Sequence, residues 1–165
     1  MREYRNNKWG YRPFSEWIWK NYDGTDKVMV SDFVKRKSED TYFMIGTDSQ
    51  NYSKRSMCTF TTVLIAYNLG RGGSVILHRD RVAYIPNLRQ RLLLEAMRSL
   101  EAAWHVDSLI SSKNIIEIHL DINSNIKFKS GQYKDELIGL VAAQGYKAII
   151  KPYAFAASKA ADRKC

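Results

Sequence analysis

Thr41-Tyr-Phe-Met-Ile-Gly-Thr-Asp-Ser-Gln50 decides how the chain is read. Aromatic and β-branched residues run up to an abrupt polar end, as in a strand that stops at a sheet edge. Asp48 closes the apolar part of that run and puts a carboxylate at the strand end. Downstream, Met57-Cys-Thr-Phe-Thr-Thr-Val-Leu-Ile-Ala-Tyr67 alternates and is β-branched. Gly70-Arg-Gly-Gly73 is a turn, and Ser74-Val-Ile-Leu-His-Arg-Asp-Arg-Val-Ala-Tyr84 reads as a third strand. Three strands so closely spaced predict an antiparallel meander.

Beyond the meander the period changes. Leu93, Met97, Leu100 and Trp104 recur at helical spacing and predict a long helix over 88–106. Asn114-Ile-Ile-Glu-Ile-His-Leu-Asp121 is a fourth strand that again ends in an aspartate. Residues 132–144 read as a helix with Gly145 as its stop. Tyr146-Lys-Ala-Ile-Ile-Lys151 is a fifth strand, Pro152 interrupts, and an alanine-rich helix spans 156–163. The order β-β-β-α-β-α-β-α predicts an α/β domain over 41–165. Its mixed five-stranded sheet is flanked by helices, with strands four and five parallel to strand one. Residues 1–40 carry three of the four tryptophans and two helix-like patches, Ser15–Tyr22 and Ser31–Lys37. They read as an N-terminal helical, aromatic extension packed on the core.

In 165 residues, 45% hydrophobic, there is enough chain for a substantial core. No apolar run approaches the roughly 20 residues needed to span a bilayer. The polar start Met1-Arg-Glu-Tyr-Arg-Asn-Asn-Lys8 is unlike a secretory signal, so a cytoplasmic protein without a membrane partner is expected. Cys58 and Cys165 form no CxxC pair, which argues against a zinc site or a disulfide framework. A net charge of +9 favours a polyanionic partner, RNA or DNA. Charge does not select between them, and neither substrate type nor oligomeric state follows from the sequence.

The acids suggest chemistry. Magnesium and manganese prefer carboxylate oxygens, and a two-metal nuclease holds its ions roughly 4 Å apart between several acids. Asp48 and Asp121 end strands expected to be adjacent and parallel, where ligands gather. The long helix offers Glu95 or Glu101, six residues apart and so pointing differently, and the last helix offers Asp162. Singly, each has an ordinary alternative as a turn former, helix cap or solvated charge. Around them, Ser49 and Gln50 suit either a phosphate or ribose contact or a turn. His119 suits a proton shuttle or a surface or half-buried histidine, and Lys159 a phosphate contact or a plain surface lysine. Arg89, Arg91 and Arg98 add charge for a nucleic-acid backbone.

Four segments carry a resemblance: Ile45-Gly-Thr-Asp-Ser-Gln50, the helix from Leu88 to Glu101, Ile118-His-Leu-Asp-Ile122, and Pro152-Tyr-Ala-Phe-Ala-Ala-Ser-Lys-Ala-Ala-Asp162. Together they resemble the ribonuclease H-like superfamily and, within it, the YkuK-type family of predicted nucleases. The resemblance implies the sheet order 3-2-1-4-5 with strand 2 antiparallel, and a metal-dependent nuclease using two Mg2+ or Mn2+ ions. It further implies that Asp48 bridges both ions, that Glu95 and Asp121 bind one, and that Asp162 binds the other. The alternative it leaves is a weakly active or inactive nucleic-acid-binding module of the same fold.

Overall fold

In the computed structural model residues 12–164 are described, with Ala157 and Asp162 described by their backbone alone. Cys165 and residues 1–11 of the extension lie outside these limits. The elements are β1 (Trp19–Asn21), α1 (Val30–Lys35), β2 (Tyr42–Tyr52), β3 (Met57–Asn68) and β4 (Gly72–Ala83). There follow α2 (Leu88–Asp107), β5 (Ile115–Leu120), α3 (Lys134–Ala143) and β6 (Lys147–Ile149). No helix among the described residues is long and apolar enough to cross a membrane.

One mixed sheet organises the chain in the order β1-β4-β3-β2-β5-β6. Strands β2, β3 and β4 form the expected antiparallel meander, and β5 and β6 run parallel to β2. Reading from β4 to β6, the five anticipated strands lie in the anticipated order. The sixth corrects the count. The patch Ser15–Tyr22, expected to be helical, is a short 3-10 turn at Phe14–Glu16 followed by β1, which pairs antiparallel with β4. Burial explains the difference: Trp17 and Trp19 are buried while Ile18 between them is exposed, which is the period of a strand.

The two sheet faces differ. Phe43, Ile45, Leu64, Ile76, Ile116 and Ile118 pack against Leu92, Ala96 and Leu100 of α2 and against Leu137 and Val141 of α3, forming the main core. On the other face a smaller cluster of Val63, Ile65 and Leu77 is covered by Ala156, Ala160 and Ala161. The alanine-rich closing segment, expected to be a plain helix, is wound as a π-helix over Ala156–Ala161 and a 3-10 turn over Asp162–Lys164. Small side chains let this segment lie close against the strands. The loop after β5 folds so tightly that a Cβ on Gly131 would stand 2.1 Å from the Asn125 carbonyl oxygen, so only glycine fits.

β1 is fastened by rings and charges. The Trp17 ring stacks on His78 at 4.5 Å between centroids, and His78 Nδ1 donates to the Ile18 carbonyl at 3.1 Å. The other ring nitrogen of His78 lies 3.1 Å from Asp80 Oδ1, and Arg98 Nε lies 3.5 Å from Asp80 Oδ2. Burial alone would raise the Asp80 carboxyl. The hydrogen bond and charge of His78, with Arg98 and Arg12, instead hold it below its ordinary value. Trp19, 3% exposed, joins the main core from this strand. Trp19→Ala is therefore expected to lose about 3 kcal/mol in urea unfolding, in a single transition. A loss below about 0.5 kcal/mol, the range of an uninvolved surface change, would mean that the extension packs independently of the core.

Candidate active site

Two rungs of hydroxyl contact set α2 against β2. Thr47 Oγ1 lies 2.8 Å from Ser99 Oγ and 2.9 Å from Thr62 Oγ1. Ser49 Oγ donates to Glu95 Oε1 at 2.5 Å. Strand residues two apart are separated by about 6.7 Å and helix residues four apart by about 6 Å. The rungs therefore match when helix and strand run in opposite directions, and this match brings Glu95 to the sheet edge.

Alternation sends Asp48 to the opposite face from Thr47 and Ser49. The parallel ladder between β2 and β5 ends at Thr47 opposite Leu120, so Asp121 directly follows β5, whereas Asp48 does not end its strand as expected: β2 runs on to Tyr52, still paired with β3. Their charges act on Glu95. Burial first pushes the Glu95 carboxyl well above its ordinary value, and Asp48 and then Asp121 push it further. The Ser49 hydrogen bond and Arg91 oppose them. Arg91 Nη1 also reaches the Ser49 carbonyl and hydroxyl, each at 3.4 Å. Asp121 Oδ1 is buried and takes no hydrogen bond, but the Lys151 ammonium stands 2.8 Å away as an ion pair. Lys151, Asn123, Ser158 and Lys159 line a cleft of about 530 Å³ beside it.

The structure thus brings Asp48, Glu95 and Asp121 into one electrostatic neighbourhood. Glu101 is elsewhere: its Oε1 accepts the Phe14 backbone N–H at 3.1 Å and so binds the extension. The Asp162 carboxylate lies outside the described residues. The turn that carries it is tied to the face of Asp48, where Thr61 Oγ1 donates to the Lys164 carbonyl at 3.4 Å. Among the described residues no three His, Cys, Asp or Glu side chains are gathered closely enough to hold an ion as they stand. The donor types nevertheless fit a hard divalent cation. All are carboxylates, and the proton affinity of Glu95 is raised by burial and by the charges of the other two, which disfavours its charged form without a positive partner.

Several neighbours have roles that differ from those expected. Ser49 is buried inside β2 and committed to Glu95, so it is neither a turn residue nor open to a phosphate. Gln50 is exposed in the same strand, and its Oε1 accepts the Tyr52 hydroxyl at 3.1 Å. His119 is fully buried, not at the surface or half-buried. Its Nδ1 accepts the Ala156 N–H at 3.1 Å and thereby pins the closing segment to β5. Burial lowers its pKa against the pull of Glu117, so the neutral ring carries its proton on Nε2. Lys159 is exposed on the cleft. Arg89 is half-exposed and paired with Glu136, and Arg98 is buried over the Phe60 ring at 4.0 Å, which removes Arg98 from backbone contact. Sequence reasoning passed over Lys151 and the Thr47–Ser99 rung. It placed Arg91 on a nucleic-acid backbone, although its spacing of four from Glu95 put it on the acid's side of the helix.

A carboxyl that holds its proton more tightly when folded makes stability fall with rising pH. Above the ordinary value of 4.5 and below the raised value, the native chain binds more protons than the unfolded one. In chelator, the wild type is expected to lose thermal stability as the pH rises above about 5 toward neutrality, and Glu95→Gln to lose less. Thermal melts across that range check this, and equal slopes for the two proteins would contradict it.

Comparison with curated proteins and with solved structures returned no match. A family model described as ribonuclease H-like matches residues 27–165, from α1 to the end of the chain, and so takes in β2, α2, β5 and the closing segment. This fold is nuclease-related or nucleic-acid-binding, and the chain belongs to the ribonuclease H-like family.

Proposed function

We propose that the protein is a divalent-metal-dependent nuclease that hydrolyses phosphodiester bonds of a nucleic acid by a two-metal-ion mechanism. The observation that carries the reading is the charge coupling of Glu95 to Asp48 and Asp121 at the edge of a ribonuclease H-like sheet. Asp48, Glu95 and Asp121 would hold Mg2+ or Mn2+, with Asp162 completing the set. Bound there, the cations would supply the positive charge that acidifies an attacking water and offsets charge on the leaving oxygen.

The chain's own groups have separable tasks. Ser49 fixes the Glu95 carboxylate by donating to Oε1, and Arg91 steadies Ser49 through its carbonyl and hydroxyl. The cleft beside Asp121 presents Lys151 and Lys159 to the phosphate next to the scissile bond. Lys151 already neutralises Asp121, so it limits repulsion among the acids until substrate arrives.

That same ion pair favours a second reading, a nucleic-acid-binding module of this fold with little or no turnover. With Lys151 on Asp121, the acids carry a counter-charge of their own. The two readings part in a manganese-supported cleavage assay over RNA–DNA hybrid, double-stranded RNA, and branched and single-stranded DNA. The nuclease reading expects Asp48→Asn and Asp121→Asn each to reduce cleavage on the order of 100-fold or more. It also expects calorimetric titration to show weaker manganese binding by both variants. Binding of nucleic acid without cleavage would favour the module, and cleavage that survives both substitutions would place the chemistry elsewhere.

A further inference from the structure

A second charged feature shares the sheet face of Asp48. A groove of about 580 Å³ opens between β1 and β4, and Arg12, Lys20, Arg79, Arg81 and Lys164 line it. Two acids also line it, Asp23 and Asp80, and both are engaged. Asp80 is buried against His78 and Arg98, and Asp23 accepts the Thr25 N–H and hydroxyl at 2.8 and 2.6 Å. Arg79 and Arg81 are exposed, and among the described residues Lys20, Arg79 and Arg81 make no ion pair. Lys164 lies over the Tyr22 ring at 4.5 Å.

Strand register ties this groove to the acids. Asp48 is opposite Thr61, and Thr61 is opposite Arg79. Gln50, Thr59 and Arg81 make the next row on the same face. Lys20 is opposite Leu77, two residues before Arg79, and extends the basic surface onto β1. Strands lie about 4.8 Å apart, so Arg79 is about 10 Å from Asp48 across the sheet.

We propose that this groove seats the phosphate backbone of the nucleic acid whose scissile bond lies at Asp48, within a few nucleotides of the point of cleavage. The inference rests on the nucleic-acid reading above and adds a role for the extension. β1 supplies Lys20, and Arg12 precedes it; both lie before residue 27, where the family match begins. Lys20, Arg79 and Arg81, which make no ion pair among the described residues, suit a polyanion backbone more than a single small anion, because their charges are spread along a line rather than converging.

The test is binding, read apart from cleavage. Fluorescence anisotropy with a labelled duplex and a labelled single strand, in chelator, compares the full-length wild type with the Arg79→Ala/Arg81→Ala double variant. Loss of two phosphate contacts is expected to weaken binding about tenfold and to flatten the slope of log affinity against log salt by about 2. The Lys35→Ala/Arg36→Ala variant removes the same charge from α1, which packs on the opposite face, and is expected to stay within about twofold of wild type. If the Arg79/Arg81 variant keeps wild-type affinity and slope, the groove is overturned while the nuclease reading stands or falls on Asp48→Asn. If both double variants weaken alike, the effect is net charge and the groove is again overturned. If wild type binds neither probe, the groove and the nucleic-acid reading fail together.

Discussion

The structure depends on the alternation of Thr47, Asp48 and Ser49 in β2. A strand residue commits its side chain to one face, and its neighbours must take the other. Here the two hydroxyls go inward, where each meets a partner on α2, and the aspartate between them goes to the opposite face, which it shares with the closing segment. The hydroxyl contacts hold the long helix at one phase and one height. A shift of β2 by a single residue would bury Asp48 against α2 and break both rungs together. The central strand has β3 on one side and β5 on the other, so its register is doubly constrained and the acid inherits that precision.

Two buried carboxylates are managed in opposite ways. Asp80 lies between His78 and Arg98 and is held charged, and this network clamps β1 to the sheet. Glu95 faces other acids with one hydroxyl donor and a more distant arginine, and it is pushed toward the neutral form. The first arrangement is self-sufficient and structural. The second leaves an acid whose charged form needs a positive partner. On the nuclease reading proposed above, a divalent ion would supply that partner.

The extension is part of the sheet. Its two inward tryptophans bury against His78 and the main core, which places its outward side beside the basic residues of β4. Asp48 lies within β2 where the ladder to β5 ends, and the basic groove lies across β3 on the same face. Asp48 and the basic residues of β1 and β4 thus share one sheet face.

The sequence by itself determined the order of strands and helices. β-branched runs, helical periodicity and glycine stops are local signals, and each reports on its own segment. It also brought out Asp48 and Asp121, because an aspartate after an apolar strand is visible without any partner. The tertiary structure decided what depends on distance. It turned the Ser15–Tyr22 patch into a strand, because edge pairing with β4 outweighed a weak helical tendency. It set Glu95 rather than Glu101 beside the two aspartates, since only the phase of a packed helix tells two acids six residues apart from each other. It committed Ser49 and His119 to internal hydrogen bonds and brought Lys151 to Asp121, contacts between segments that no local pattern encodes.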